Sequence, residues 1–287
     1  MKSYVRNMQI TGLSISLLLF TLIGCDREQV EVLDDSTGIN TSQLQASDES
    51  ELILEEMINI GDDIYAADEL SFTNGKSYNT GFLPSCALVT SVIDGNSKET
   101  KIDFGTGCEL PNGNVLGGIL IFNSVKDTDL ATKTVLLTME NFSFNSVQIE
   151  GGATIVRNRS NTAGNPNSEI NFSFKGIWPN DIVRNIEGNR TREWIEGYGS
   201  GDWGDNVILI NGESNFTTAN NEILNKKITI PLRREWSCRF IVSGTIEVVF
   251  EGLNYSLDFG NGSCDSKGIL TKPDGTSEEI ALIRFRR

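Results

Sequence analysis

The residue types that most often carry out chemistry are unevenly represented in this chain of 287 residues, which has five cysteines and no histidine. The absence of histidine excludes a Ser–His–Asp triad, a Cys–His pair, a histidine general base and any metal site with histidine ligands. Carboxylates remain as candidate acids and bases, and four of them share one aromatic-rich segment: Glu193, Glu196, Asp202 and Asp205. A glycoside hydrolase uses two carboxyl groups roughly 5–9 Å apart. A glycan-active hydrolase is therefore kept as an alternative, although the sequence predicts no catalytic residue.

Three of the four tryptophans lie in or near this segment: Trp178, Trp194 and Trp203, with Tyr198 among them. Flat aromatic faces beside amides and carboxylates suit sugar rings, so these four residues are the candidate ligand-binding residues. The alternative is that they fill a β-rich core, where tryptophan is common.

No metal or cofactor site is predicted. Asp202, Asp205 and Asn206 offer oxygen ligands for Ca²⁺ on a loop made pliable by glycine, but their spacing does not match an EF-hand, and a solvated turn is the alternative. The glycines at 197, 199 and 201 lack the strand–helix setting of a dinucleotide fold. A phosphate-binding Gly-x4-Gly-Lys-Ser/Thr loop is missing from the sequence.

The N-terminus has the pattern of a secretion signal. Lys2 and Arg6 precede an apolar run, Ile10–Ile23, which is shorter than the ~20 residues that span a bilayer. The run ends in Leu22-Ile23-Gly24-Cys25, which resembles the lipobox of bacterial lipoproteins. This resemblance implies that residues 1–25 are a signal peptide, that cleavage occurs before Cys25 and that Cys25 carries the lipid. Several acyl chains would anchor the protein stably without crossing the membrane.

The charge and the residues after Cys25 bear on location and partners. Asp26, Glu28 and Glu31 follow the cysteine, and acidic residues there resemble a surface-export signal of Bacteroidota. The expected location is the outer membrane, perhaps facing outward. A net charge of −15 lacks the basic footprint that nucleic-acid binding needs, so no nucleic-acid partner is expected.

The composition and periodicity change twice along the rest of the chain. Residues 26–47 are acidic and polar and are expected to form a flexible tether. In residues 48–69 the helical spacing of Ile53, Met57, Ile60 and Ile64 predicts one amphipathic helix, docked on the domain, with Asp48 as its cap. A partner-binding helix is the alternative.

Residues 70–287 alternate with period two. Ile170, Phe172 and Phe174 alternate with polar residues, and similar short runs recur between turns rich in Asn, Gly and Asp. Such runs, with no helical pattern between them, predict an all-β fold, either an antiparallel β-sandwich or a partly open barrel.

An internal repeat is the sharpest feature of this domain. Asp103-Phe104-Gly105 and Asp258-Phe259-Gly260 each follow a candidate hairpin and precede a cysteine. Their predicted role is structural, because glycine permits a positive φ and aspartate bonds turn amides. Hairpin geometry brings together the cysteines at the two ends of each unit. The predicted disulfides are therefore Cys86–Cys108 and Cys238–Cys264, in an oxidising compartment.

The duplicated Asp-Phe-Gly-x-Gly-(x)-Cys pattern, behind a lipobox and a helix, resembles uncharacterised lipoproteins of Bacteroidota. This resemblance implies no activity. The sequence therefore predicts a lipid-anchored envelope protein that acts as a non-enzymatic binding or structural module, with a glycan or an envelope protein as its partner. A scaffold subunit of a larger surface complex is a further alternative.

Overall fold

The computed structural model of the chain describes residues 38–74, 83–126, 132–200, 202–238 and 240–281. The predicted signal peptide, the lipidation site Cys25 and residues 26–37 of the predicted tether lie outside the described residues. Within the described ranges, we find no helix with the length and apolar character needed to cross a membrane.

Fourteen strands make up most of the described chain. They are β1 Leu88–Asp94, β2 Ser97–Asp103, β3 Cys108–Glu109, β4 Val115–Lys126, β5 Thr132–Phe144, β6 Val147–Asn158, β7 Asn167–Trp178, β8 Ile182–Glu196, β9 Val207–Thr217, β10 Ile223–Glu235, β11 Ile241–Phe250, β12 Leu253–Asn261, β13 Lys267–Thr271 and β14 Ser277–Ala281.

The strands form one antiparallel sheet in which almost every strand pairs with the next one along the chain. Only β3 lies off this path, where it pairs with β4, so that β2 and β4 are neighbours. The sheet runs from β1 at one edge to β14 at the other and does not close. Short connections suffice for such a meander, because antiparallel neighbours need only a hairpin.

Side-chain alternation along the strands separates an inner from an outer face. In β7, Ile170, Phe172 and Phe174 are buried, while Asn171 and Ser173 between them are exposed. The predicted period-two pattern is therefore the one that the sheet uses, with its apolar face toward the core.

One helix, α1 (Thr41–Asn74), precedes the sheet. It begins at Thr41 rather than at Asp48, so residues 41–47 belong to the helix and not to the tether. The reason is a capping box one turn earlier: the Gln43 amide donates to Asn40 Oδ1 at 2.9 Å, and Gln43 Oε1 accepts from the Asn40 amide at 2.9 Å. Leu44 then packs into the core.

The sheet encloses this helix. Every residue from 53 to 63 is buried, and eleven consecutive residues cover all faces of a helix with 3.6 residues per turn. The predicted apolar stripe of Ile53, Met57 and Ile60 is part of this buried segment. A Cβ at Gly61 would lie 2.9 Å from Cε1 of Phe122 in β4, so the sheet approaches the helix backbone closely. The helix is thus an internal element and not one docked by a single face.

Both predicted disulfides are confirmed. Cys86–Cys108 closes the unit around the β1–β2 hairpin, and Cys238–Cys264 closes the unit around the β11–β12 hairpin.

The two Asp-Phe-Gly copies make the same turn. Asp103 Oδ1 accepts from the Gly105 amide at 2.8 Å, and Asp258 Oδ1 accepts from the Gly260 amide at 2.7 Å. Gly105 and Gly260 have φ values of 61° and 95°, which glycine adopts without strain. The repeat therefore has the structural role predicted for it.

The fold class is confirmed as all-β, with one helix in front of an antiparallel sheet that contains a pseudo-repeat. Of the two architectures left open by the sequence, the single unclosed sheet around a helix corresponds to the partly open barrel.

Candidate functional site

The aromatic residues predicted to bind a ligand do not meet in one place. Trp178 lies at the end of β7, opposite Ile182 at the start of β8, whereas Trp194 lies near the other end of β8. About twelve residues of extended strand separate these two ends, which corresponds to roughly 40 Å. The backbone of Trp203 lies in a short 3-10 turn, but its side chain is outside the described part of the chain.

Trp194 and Tyr198 belong to the closed core. Trp194 is 5% exposed, its Nε1 donates to Asn206 Oδ1 at 2.8 Å, and its ring stacks parallel to that of Trp236 at 6.1 Å. Tyr198 meets the Trp194 ring edge-on at 5.1 Å and donates its hydroxyl hydrogen to Glu69 on α1. The core-filling alternative describes these two residues.

Trp178 is half-buried and supports an arginine. A Cβ at Gly176 would lie 2.3 Å from Cζ3 of Trp178, so only glycine leaves room for this ring. The Arg184 guanidinium lies 4.4 Å above the Trp178 ring and donates to Glu49 Oε2 at 2.8 Å. Trp178 therefore acts on its surroundings through Arg184.

Two of the four candidate carboxylates stabilise loops or neighbouring strands. Glu193 Oε1 accepts from Nδ2 of Asn161 and of Asn165, each at 2.8 Å, and these hydrogen bonds lower the pKa of Glu193. Glu196 pairs with Arg233 at 2.9 Å.

The other two hold the turn after β8. Asp202 Oδ1 accepts from the Gly204 amide at 2.8 Å, and Asp205 Oδ1 accepts from the Ser200 hydroxyl at 3.0 Å. Asn206, the third Ca²⁺ candidate, already binds the indole described above. Within the described ranges no cluster of three Asp, Glu, Cys or His side chains is suited to a metal ion. These contacts give the hydrolase alternative no supporting arrangement.

A buried set of charged pairs, here called the ion-pair ladder, joins α1 to the inner faces of β6, β8 and β10. Carboxylates on the helix meet cations on the strands, and most of these side chains are less than a tenth exposed. The pairs are Glu51–Arg190 and Glu51–Lys226, both at 2.8 Å, Glu55–Arg192, Asp62–Arg192 at 3.2 Å, Asp62–Arg157 at 3.3 Å and Glu69–Arg157 at 2.9 Å.

The ladder fixes the ionisation of Glu51. Burial alone would raise the pKa of this carboxyl, but Arg190 and Lys226 outweigh it and lower the pKa to about 2. Arg190 donates to both carboxylate oxygens at 2.8 Å, and such charge-assisted bonds are strong. Glu51 is therefore an anion over the whole ordinary pH range.

Neighbouring carboxyls without such partners behave in the opposite way. Burial raises the pKa of Glu56 to about 7, against the opposing charge of Arg234 and a 3.2 Å hydrogen bond from Asn112. Burial likewise raises the pKa of Asp48 to about 6, although Lys226 lowers it in part. Asp48 borders an internal cavity of about 90 Å³, which has room for about three water molecules.

A larger opening, here called the cleft, lies beside the N-terminal half of α1. It has a volume of about 730 Å³, within the range of small-molecule sites. The helix contributes one wall, and the β5–β6 turn, the start of β8 and the loops before β4, β11 and β13 contribute the others. The residues that line it are Ser42, Gln45, Ala46, Glu49, Leu52, Ile53, Asn114, Phe144, Asn145, Val147, Arg184, Phe240 and Ser266.

Asn145 is the most firmly held polar group of the cleft. It has a φ of 47° and Ser146 has a φ of 71°, as in the two-residue turns that suit hairpins. Its Oδ1 accepts from the Val115 amide at 2.8 Å, and its Nδ2 donates to Asn114 Oδ1 at 2.9 Å. The amide is therefore fixed before any ligand arrives.

The cleft is equipped for binding rather than for catalysis. Glu49 is the single acidic residue among the described residues that line it, and it is paired with Arg184. Ser42 and Ser266 have no general base among these residues. Amides, hydroxyls and one ion pair surround an apolar surface from Phe144 and Phe240.

The ion-pair ladder and the cleft are difficult to predict from the sequence, although one signal for the ladder is present. In β8, Arg190 and Arg192 alternate in step with the buried residues Ile186 and Trp194, so they point inward. Arginines at apolar positions of a strand indicate buried partners. The cleft has no comparable signal, because its walls come from segments far apart in the chain.

Comparison of the chain with protein-family models, with curated proteins and with solved structures finds no match in any of the three.

Proposed function

We propose that this chain is a lipid-anchored protein of the bacterial outer membrane that binds a glycan in the cleft without chemically changing it. The observation that carries the binding role is the lining of the cleft, which combines hydrogen-bonding groups and an apolar surface with a single, ion-paired carboxylate.

The lipobox Leu22-Ile23-Gly24-Cys25 supports the anchor. The two disulfides support export, because structural disulfides form and persist outside the reducing cytoplasm. A protein tied to the membrane and exposed to the envelope or the cell surface is suited to capturing ligands there.

The polar groups of the cleft favour a neutral ligand rich in hydroxyls. The side-chain amides of Gln45 and Asn145 both donate and accept hydrogen bonds, as sugar hydroxyls require. Phe240 is partly exposed and offers an apolar surface to the C–H face of a sugar ring. An extended segment of an envelope protein is the second ligand class to be tested.

The proposal is tested by thermal shift of the full chain with a panel of envelope glycans and envelope-protein peptides. Gln45→Trp places a bulky ring at an exposed position of the cleft wall, and Asn225→Trp places the same ring at an exposed position of β10. We expect at least one glycan to raise the Tm of the wild type and of Asn225→Trp, and to leave that of Gln45→Trp unchanged.

Two results would contradict this expectation. If none of the glycans shifted the Tm, the ligand class would be wrong. If Gln45→Trp responded like Asn225→Trp, binding would occur outside the cleft. A shift with peptides alone would keep the cleft and replace the glycan with a protein ligand.

A further inference from the structure

The first strand of the sheet has one unpaired edge. β1 pairs with β2 along seven residues, from Leu88 opposite Asp103 to Asp94 opposite Ser97, without a register shift. Its other edge meets no strand in the part of the chain that the structure describes. A free edge presents a row of backbone donors and acceptors to any extended chain.

This edge strand is also apolar on both faces. All seven of its residues are exposed. Leu88 is 62%, Val89 45%, Val92 63% and Ile93 74% exposed. Natural edge strands are usually protected by lysine, proline, a bulge or a covering element, and β1 has none of the first three.

The opposite edge of the sheet is protected by comparison. β14 has only five residues, and Glu278 and Glu279 occupy its centre, where they pair with Lys272 and Lys267. Pairing of two such strands would bring carboxylates together, which is unfavourable. The two edges of one sheet therefore differ in how they exclude a further strand.

We propose that β1 pairs antiparallel with β1 of a second copy of this chain, about a two-fold axis through Ser91. Val89, Ser91 and Ile93 face the same side as buried Ile102 and Thr100 of β2, since directly paired residues share a face. This register therefore continues the inner face of one copy into the inner face of the other.

The register is self-complementary. On the inner face Val89 lies opposite the partner's Ile93, and on the outer face Thr90 lies opposite the partner's Val92. Asp94 is the one charged residue of β1, and it lies opposite the partner's Leu88. No two like charges meet. A second copy that offered β14 instead would place Glu278 and Glu279 against apolar side chains, so the β1–β1 pairing is favoured.

Disulfide trapping tests the register. In an antiparallel pair, directly opposite Cβ atoms are about 4.5–5.5 Å apart, which is close to the spacing that a disulfide bridges. We expect the full chain carrying Ser91→Cys to form a disulfide-linked dimer under mild oxidation. Glu279→Cys, at the centre of β14, is the matched control at the other edge and is expected to stay monomeric on a non-reducing gel.

A charge substitution tests the affinity. Ile93→Lys places two lysines in the paired strands of each dimer, whereas Ile230→Lys changes an isoleucine of β10 that is 57% exposed. By sedimentation of the full chain in mild detergent, we expect Ile93→Lys to raise the dimer dissociation constant at least about tenfold, corresponding to about 1.4 kcal/mol. Ile230→Lys is expected to leave it unchanged.

Three outcomes would overturn the proposal. One is a wild-type chain that is monomeric at micromolar concentration. The second is a Ser91→Cys variant that forms no crosslink, as when another segment covers this edge. The third is crosslinking through Glu279→Cys instead.

Discussion

At the scale of single residues, two glutamates five positions apart on α1 titrate in opposite directions. Glu51 is held as an anion by Arg190 and Lys226, and its pKa falls to about 2. Burial dominates at Glu56, and its pKa rises to about 7. Position relative to the inward cations, and not residue type, decides the ionisation of each carboxyl.

The sign of each pKa change fixes its effect on stability. For Glu51, with an ordinary pKa of 4.5, the ion pairs stabilise the fold fully above pH 4.5 and are lost as pH falls toward 2. For Glu56 the folded protein binds the proton more tightly than the unfolded chain. Stability is therefore lost as pH rises from 4.5 to about 7.

Glu51→Gln and Glu56→Gln are therefore expected to act in opposite directions. Near neutral pH, Glu51→Gln should lower the free energy of unfolding by about 3 kcal/mol, because Arg190 and Lys226 stay buried without their anion. Above about pH 7, Glu56→Gln should raise the free energy of unfolding, by at most about 3 kcal/mol, because no buried anion is formed.

Denaturant unfolding of the wild type and both variants, from about pH 2 to about pH 8, measures these differences. The Glu51→Gln deficit should shrink as pH falls below about 4.5, and the Glu56→Gln gain should vanish near that pH. Equal effects of the two substitutions at all pH values would show that the charges, and not only the side-chain shapes, have been misassigned.

At the scale of elements, the two disulfide-closed units are equivalent in construction. Each disulfide joins the segment before a hairpin to the segment after it, across 22 residues for Cys86–Cys108 and 26 residues for Cys238–Cys264. On the loop-entropy model, closing loops of this length removes similar freedom from the unfolded chain.

Replacing either cysteine pair with serine should therefore lower the free energy of unfolding by roughly 3 kcal/mol. The two double variants serve as controls for each other, since their loops are nearly equal in length. Denaturant unfolding and peptide mass mapping without reduction measure the two effects. A crosslinked peptide that joins Cys86 or Cys108 to Cys238 or Cys264 would contradict the pairing.

The strands and hairpins were accessible from sequence because their signals are local. Ile170, Phe172 and Phe174 alternate within one strand, and the Asp-Phe-Gly turns follow directly from the conformations of aspartate and glycine. The helix start at Asn40-x-x-Gln43 is also a local signal, but Asp48 and Glu51 offer a competing capping pattern. In the fold, Glu51 binds strand cations instead.

The position of the helix and the cleft is a different matter, because both depend on long-range contacts. An amphipathic stripe predicts that one face of a helix is buried. It does not predict that arginines from β6 and β8 cover the acidic face as well. The acidic residues of α1 therefore look like a solvated surface in the sequence, and become buried partners only in the assembled sheet.

At the scale of the whole molecule, one helix holds together a sheet that does not close on itself. The ion-pair ladder and the apolar core attach strands from both halves of the sheet to α1. The same helix also forms a wall of the cleft. Binding in the cleft and the integrity of the fold therefore depend on the same element.

Export and lipid attachment at Cys25 are the central claim, since the compartment of the disulfides and the access to envelope ligands both follow from them. Metabolic labelling with a palmitate analogue, followed by membrane fractionation of the wild type and Cys25→Ser, tests this claim most directly. We expect the label on the wild type alone, and we expect Cys25→Ser to leave the membrane fraction. An unlabelled wild type, or a Cys25→Ser chain still bound to membranes, would contradict it.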